Sequence, residues 1–252
     1  MRILLSNDDG IHAPGLEVLE RIARQFSDDI WVVAPESDQS GVGHGLSISM
    51  PLRARPAGER RFAVSGTPTD CVILAVKQLM DGPPDLILSG VNSGQNIADD
   101  VTYSGTVAAA MEGALMGVRS VALSQAYNFA DGTRTVPWEV AAAHGAAVLD
   151  KVLGVPLSPD RFVNINFPNC PPDAVEGIEV TRQGRLNHGL LIDRRLDGRS
   201  FPYHWITFDR SAPPVEAGTE LHALRGRRIS VSVLKFDLTD HESNAVMQAA
   251  LA

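Results

Sequence analysis

Two kinds of patterning alternate along the chain. Short, mostly apolar runs fall at residues 3–5, 30–34, 84–88, 120–123 and 162–167. Between them lie segments whose apolar residues recur every three or four positions. The clearest covers 14–26, where Leu16, Leu19, Ile22, Ala23 and Phe26 keep near-helical spacing and Pro14 suits a first turn. Residues 71–80 form a second such segment, the Ala-rich stretch 107–116, closed by Gly117, a third, and 138–153 a fourth with Ala141, Val148, Leu149 and Val152 available to an inner face. Strands covered by helices on both faces read as near-continuous apolar runs. The alternation therefore predicts an α/β fold: a doubly wound, mainly parallel sheet with right-handed crossovers. Residues 46–55 alternate loosely and, with 61–64, predict a β-excursion. From 181 to 210 the character changes, with Arg182, Arg185, Arg194, Arg195, Arg199 and Arg210 around the turn residues Asp197-Gly198, which predicts an exposed β-hairpin arm. Residues 228–234 predict a last strand, and the tail after them a short helix. The expectation is one α/β domain over 1–252, with the arm 181–210 placed for oligomerisation, its cationic surface complementing the acidic body of a neighbour.

Polar loops follow three of these strands, and ligands of open α/β sheets bind outside the carboxyl ends of the strands. The first loop is Ser6-Asn7-Asp8-Asp9-Gly10, the second runs from Glu36 to Gly45, and the third is Ser89-Gly90-Val91-Asn92-Ser93-Gly94-Gln95-Asn96. Asn, Asp and Gly are also the commonest turn formers, so the first loop read alone is a solvated turn. Together the loops supply Asp8, Asp9, Ser40 and Asn92. All four donate oxygen, and two carboxylates with two neutral ligands suit one hard divalent cation, Mg²⁺ or Mn²⁺. Ser104-Gly105-Thr106 precedes an Ala-rich helix, whose unpaired amides and dipole favour an anion, although an ordinary N-cap has the same sequence. A metal beside an anion cradle describes phosphoryl chemistry. His44, set among Gly41, Gly43 and Gly45, has a near-neutral pKa when unperturbed and suits protonation of a leaving group, phosphate binding or bracing of its loop. The other histidines, His12, His144, His188, His204, His222 and His241, have no site context.

Composition narrows the classes. A net charge of −8 and a pI near 5.3 exclude a general nucleic-acid-coating role, which needs a broad basic surface. No apolar run approaches membrane-spanning length, and the first strand starts too close to Arg2 to leave room for a signal peptide, so the expected location is cytoplasmic. Cys71 and Cys170 lie far apart and suggest neither a disulfide framework nor a thiolate metal site; Cys71 reads as a small core residue.

With these loops identified, the chain resembles the SurE (survival protein E) family of metal-dependent 5′/3′-nucleotidases. The resemblance rests, in order, on Ser6-Asn7-Asp8-Asp9-Gly10, Ala34-Pro35 with Gln39-Ser40-Gly41-Val42-Gly43-His44, Ser65-Gly66-Thr67-Pro68, Ser89-Gly90-Val91-Asn92 and Tyr103-Ser104-Gly105-Thr106-Val107. It implies a Rossmann-like, SurE-type fold and a metal, one ion per subunit, held by Asp8, Asp9, Ser40 and Asn92. It also implies phosphate binding by Asn96, Ser104, Gly105 and Thr106, hydrolysis of nucleoside monophosphates and, in some members, polyphosphate. A homodimer or homotetramer built through exchanged C-terminal elements is implied as well. The chain departs from the family at Gly45, where Ser or a similar residue is usual, and at Val231-Ser232-Val233-Leu234, where the family has a Thr-Pro-Leu run. The expected activity is that of a phosphomonoesterase in which Asp8 and Asp9 are catalytic, Asp9 being favoured to orient or deprotonate the attacking water. Two alternatives stand beside it. One is a haloacid-dehalogenase-type phosphatase forming a covalent aspartyl-phosphate, although its two aspartates are separated by one residue and these are adjacent. The other is a nucleotide-sensing module that only binds.

Overall fold

A computed structural model of the protein describes residues 1–186, 190–208 and 215–252. Thirteen strands and six α-helices follow one another along these residues. They are β1 (Ile3–Ser6), α1 (Pro14–Ala23), β2 (Ile30–Pro35), β3 (Ala54–Gly58), β4 (Arg61–Val64), α2 (Pro68–Leu74), β5 (Leu86–Ser93), α3 (Gly105–Leu115), β6 (Arg119–Gln125), β7 (Asn128–Ala130), β8 (Thr133–Thr135), α4 (Trp138–Leu153), β9 (Arg161–Phe167), β10 (Ile178–Val180), β11 (Leu190–Leu196), β12 (Pro202–Phe208), α5 (Glu220–Arg225), β13 (Ile229–Lys235) and α6 (His241–Leu251). Nine strands form the central sheet in the order β10-β13-β9-β6-β5-β1-β2-β4-β3. The six in the middle run parallel, β3 is antiparallel to β4, and β13 is antiparallel to β9 and carries β10 parallel to itself. The chain builds outward from β1 in one direction through β2 and β4 and in the other through β5, β6 and β9. That reversal opens a crevice at the carboxyl ends of β1 and β5.

Helices cover both faces, as the apolar runs required. On one face α1 and α4 pack on each other and on the sheet, burying Leu16, Leu19, Ile22, Val140 and Leu149 against Ile3, Leu5, Val32, Leu88, Val121 and Ile165. On the other, α2 and α3 bury Cys71, Val72 and Ala109 against Leu4, Val33 and Ile87. Each fully buried Leu or Ile of this kind contributes roughly 1.5–3 kcal/mol. Cys71 and Cys170 are both free thiols, Cys71 in this second core.

Several boundaries differ from the sequence-based expectation. Helix α2 starts three residues before 71, because Thr67 and Asp70 form a reciprocal cap: the Asp70 amide donates to Thr67 Oγ1 at 3.1 Å and the Thr67 amide to Asp70 Oδ2 at 2.9 Å. It then widens into a π-turn over Ala75–Leu79 instead of running on as α-helix. Of the excursion 46–55 only the last two residues are strand, and β4 is a member of the main sheet, parallel to β2. Strand β5 runs five residues past Leu88, so Asn92 lies on a strand and not in a loop; after an irregularity following Ser89, Asn92 and Ser93 pair with Ser124 and Gln125 of β6. The hairpin is present as β11–β12, paired from Leu190↔Phe208 to Leu196↔Pro202, with its turn at Asp197-Gly198. His188 and Arg210 lie outside the described residues.

Candidate active site

The β1–α1 loop folds on itself through Asn7, whose side chain donates to Gly10 O at 2.9 Å and accepts from the Gly10 amide at 3.2 Å. This tight turn turns Asp8 inward and Asp9 toward β5. The next loop is tied to it by backbone bonds from Gln39 N to Asp8 O (2.8 Å) and from Ile11 N to Pro35 O (2.8 Å). Ser40 is thereby brought over the same crevice, although its hydroxyl and amide are both bound to Asp38 Oδ1, at 2.6 and 2.8 Å.

Asp8 is buried and accepts a hydrogen bond at Oδ1 from the Thr106 hydroxyl. Burial is the main reason its pKa is pushed up to about 6; the neighbouring Asp9 charge adds to the rise, while the Thr106 hydroxyl and amide oppose it. Helix α3 meets the acidic loop directly. Ser104 caps it, accepting from Val107 N at 3.1 Å, and the first helical residue is glycine for a steric reason: a Cβ on Gly105 would lie 2.7 Å from Asp8 Cβ and 3.0 Å from Pro68 Cγ. Asp9 Oδ2 accepts from Ser93 N at 2.9 Å. Its pKa is also raised, first by burial and further by Asp38, against the pull of the Ser93 amide and the positive charge of Arg134.

These groups open onto one cavity of about 340 Å³, whose lining includes Asp8, Ser40, Asn92, Asn96, Ser104 and Arg134. Asn92 is held by its own amide bond to Gly94 O at 2.8 Å. Asn96 is fixed by a buried polar cluster. Its backbone N–H donates to Asn166 Oδ1 (2.8 Å), its side chain donates to Ser124 Oγ (2.9 Å), and its carbonyl accepts from the side chains of Asn164 (2.8 Å) and Asn166 (3.1 Å). Asp8, Ser40, Asn92, Asn96 and Ser104 thus share the cavity, while Asp9, Gly105 and Thr106 bear on it through Ser93 and Asp8. His44 does not line it. Its Nε2 lies 2.9 Å from Oε2 of Glu112 on α3, a contact that braces the Ser40 loop against that helix.

Sequence reasoning missed Asp38, Arg134, Tyr127, Asn164 and Asn166. A carboxylate two residues before Ser40 and two asparagines inside an otherwise apolar strand were available signals. Arg134 and Tyr127 belong to a segment with no pattern of its own.

The donor chemistry fits a hard cation. Two carboxylates sit side by side in a partly dry crevice, each held above its ordinary pKa by burial, and a cation between them would reverse that cost. Ser40 and Asn92, which carry neutral oxygens, line the same cavity, and among the described residues neither a cysteine nor a histidine does.

Comparison with known proteins places this geometry in context. The family model described as survival protein SurE matches residues 3–189. Relatives called 5′-nucleotidase SurE share 59% identity over 252 residues in Mesorhizobium japonicum, covering all of both chains. In Rhizobium meliloti the identity is 61% over 251 residues, covering 100% of this chain and 98% of the relative. The crystal structure of the SurE protein from Aquifex aeolicus superposes with a TM-score of 0.83 at 34% identity, each chain covered in full. Fold, family model and full-length similarity agree, and the chain belongs to the SurE family.

Proposed function

We propose that this protein hydrolyses nucleoside 5′-monophosphates to nucleoside and phosphate, with a divalent cation held by Asp8, Asp9, Ser40 and Asn92. Relatives called 5′-nucleotidase SurE, alike along the whole chain, support the activity. The observation that carries the site is that Asp8 and Ser104, the cap of α3, line one cavity with Asp9 beside it. When bound, the cation, Mg²⁺ or Mn²⁺ and one per subunit, lowers the pKa of a water and offsets phosphate charge.

The remaining work belongs to the chain's own groups. Thr106 has one hydroxyl proton and gives it to Asp8, so it orients that carboxylate. Ser104 Oγ accepts from Val107 N and keeps its proton for a phosphate oxygen. The Gly105 amide at the first position of α3 and the second Nδ2 proton of Asn96 are further donors for the anion. Asp9, anchored by one oxygen to Ser93 N, has the other for orienting or deprotonating the attacking water. His44 serves as a loop brace through Glu112. A second chamber of about 770 Å³ adjoins the site and shares Leu186 and Leu221 with it; Arg182 and Arg185 line it. That room extends the reading to nucleoside 3′-monophosphates and polyphosphate. We read the chain as one α/β domain over 1–252, with 181–210 as an oligomerisation arm and a homodimer or homotetramer as the working form in the cytoplasm.

The test is release of inorganic phosphate from a panel of nucleoside monophosphates with Mn²⁺, Mg²⁺ or EDTA. Metal-dependent release by the wild type, reduced roughly 10²–10⁴-fold in folded Asp9→Asn, is expected. Full activity in that variant sinks the assignment, and nucleotide binding without release by the wild type turns the protein into a sensing module.

A further inference from the structure

The candidate site is rich in negative charge. Asp8 and Asp100 line the cavity, Asp9 and Asp38 stand beside it, and the substrate brings a phosphate dianion. Among the described residues that line it, a single side chain carries a fixed positive charge, Arg134. It comes from a small hairpin outside the main sheet, β7–β8, in which Arg134 pairs with Phe129 and every residue from 128 to 135 is exposed. A hairpin that buries nothing is not there for the core.

Two contacts aim this arginine inward. Its guanidinium carbon lies 4.1 Å from the centroid of the Tyr127 ring, a cation–π brace that leaves the edge N–H groups available. It also passes close over the β5 exit. A Cβ added to Gly94, where φ is +129°, would come within 2.8 Å of Arg134 Nη2 and 3.3 Å of Tyr127 Cε1. Only glycine lets the arginine and its platform lie this near the strand that carries Asn92 and Ser93. No carboxylate among the described residues forms a direct ion pair with Arg134, although its charge is felt at Asp9.

We propose that Arg134, delivered by the β7–β8 hairpin and braced on Tyr127, binds the phosphoryl group of the substrate as the site's own cation. This rests on the phosphomonoesterase reading and adds a residue to it. A planar guanidinium gives two parallel donors to phosphate oxygens, and it strengthens its hold as charge develops on them in the transition state. The arginine would then share the offsetting of phosphate charge with the cation that Asp8 and Asp9 would hold.

The test compares wild type, Arg134→Lys and Arg134→Ala as full-length, Mn²⁺-loaded protein. Orthophosphate binding is measured by titration calorimetry, and turnover is measured on a nucleoside monophosphate and on p-nitrophenyl phosphate. Arg134→Ala is expected to weaken orthophosphate binding at least about tenfold and to lower kcat/KM roughly 10²-fold on both substrates. Arg134→Lys should recover part of each, millimolar guanidinium should restore some turnover to Arg134→Ala, and the Mn²⁺ concentration for half-maximal activity should not move. Unchanged orthophosphate affinity in Arg134→Ala overturns the proposal. So does a loss confined to the nucleotide, which would make the arginine a nucleoside contact. Wild type that binds orthophosphate through Arg134 yet turns over no monoester leaves the arginine assignment standing and removes the activity.

Discussion

Asp8 is where the demands on this site are most tightly coupled, because one carboxylate is buried, beside a second carboxylate and under the first turn of α3. The fit is tight enough to decide the sign of a conservative change at Gly105. Helix propensity alone would favour alanine there by up to about 1 kcal/mol. Against this, the new Cβ meets Asp8 Cβ at 2.7 Å and the Pro68 ring at 3.0 Å, neither of them the far end of a flexible chain, as well as Asp8 Oδ2 at 3.0 Å. Overpacking of this kind costs roughly 1–3 kcal/mol, so the clash wins. Gly105→Ala is expected to lower the melting temperature and, by displacing Asp8, to cut phosphate release by about tenfold or more. Calorimetry and a phosphate assay on the purified variant check both, and a variant as stable and active as wild type would show that the contact is slack. That Asp8, Ser40 and Asn92 meet at one cavity with Asp9 beside it was legible in the sequence, because residues that break a strand and donate oxygen cluster where strands end. Arg134 was not. It lies forty-two residues beyond Asn92 in a short polar hairpin, and only the folded chain brings it over Gly94.

Among the elements, the crossover helices and apolar strands followed from pattern alone, α4 to the residue. What pattern could not give was how strands continue into the site. Strand β5 carries Ser89, Gly90, Asn92 and Ser93, which read as a loop, because its last residues line a ligand crevice and not a core. Asn164 and Asn166 in β9 reverse the case, being polar residues fully buried to hold Asn96. Short α5 shows the same logic at the cavity's edge. Glu220 is fully buried at its first position, accepts from Gly184 N at 2.7 Å through Oε2, and leaves Oε1 without a partner. Burial raises its pKa above the ordinary 4.5, against the Gly184 and Ala98 amides and Arg182. The folded state therefore holds the proton more tightly than the unfolded chain. The ionised form costs stability as pH rises through 4.5, until the folded-state pKa is passed. Glu220→Gln removes the ionisation and keeps the acceptor for Gly184. Its melting temperature relative to wild type should climb from pH 4 upward and then level off, whatever constant offset the amide brings. A difference that stays flat across that range, measured by differential scanning calorimetry in EDTA, would show that Glu220 is ordinarily solvated.

At the scale of the molecule, two elements of the described residues leave their apolar side chains uncovered within one copy. The β11–β12 hairpin exposes Leu191, Ile192, Phe201, Trp205 and Ile206, and α6 has no buried residue while showing Val246, Met247 and Leu251 to solvent. That is a large number of exposed apolar side chains for two elements, of the kind that marks an interaction surface. The sheet edge of the same copy offers a matching surface, a groove of about 420 Å³ walled by Val152, Val155, Val163, Ile178, Val231 and Val233. Under the self-association proposed above, a second copy would lay an apolar arm on this apolar groove. The net charge of −8 opposes association, so a specific interface would need a large apolar contact, more than about 1,000 Å². Sedimentation velocity at micromolar concentration should therefore give a homodimer or homotetramer. Trp205→Asp and Met247→Asp, each placing a charge on one arm, should shift it toward smaller species with little change in the melting of the α/β body. Trp205 is one of only three tryptophans, so dilution should also red-shift the emission as its arm is uncovered. A wild type that sediments as a monomer at these concentrations would leave the two arms without a function in self-association.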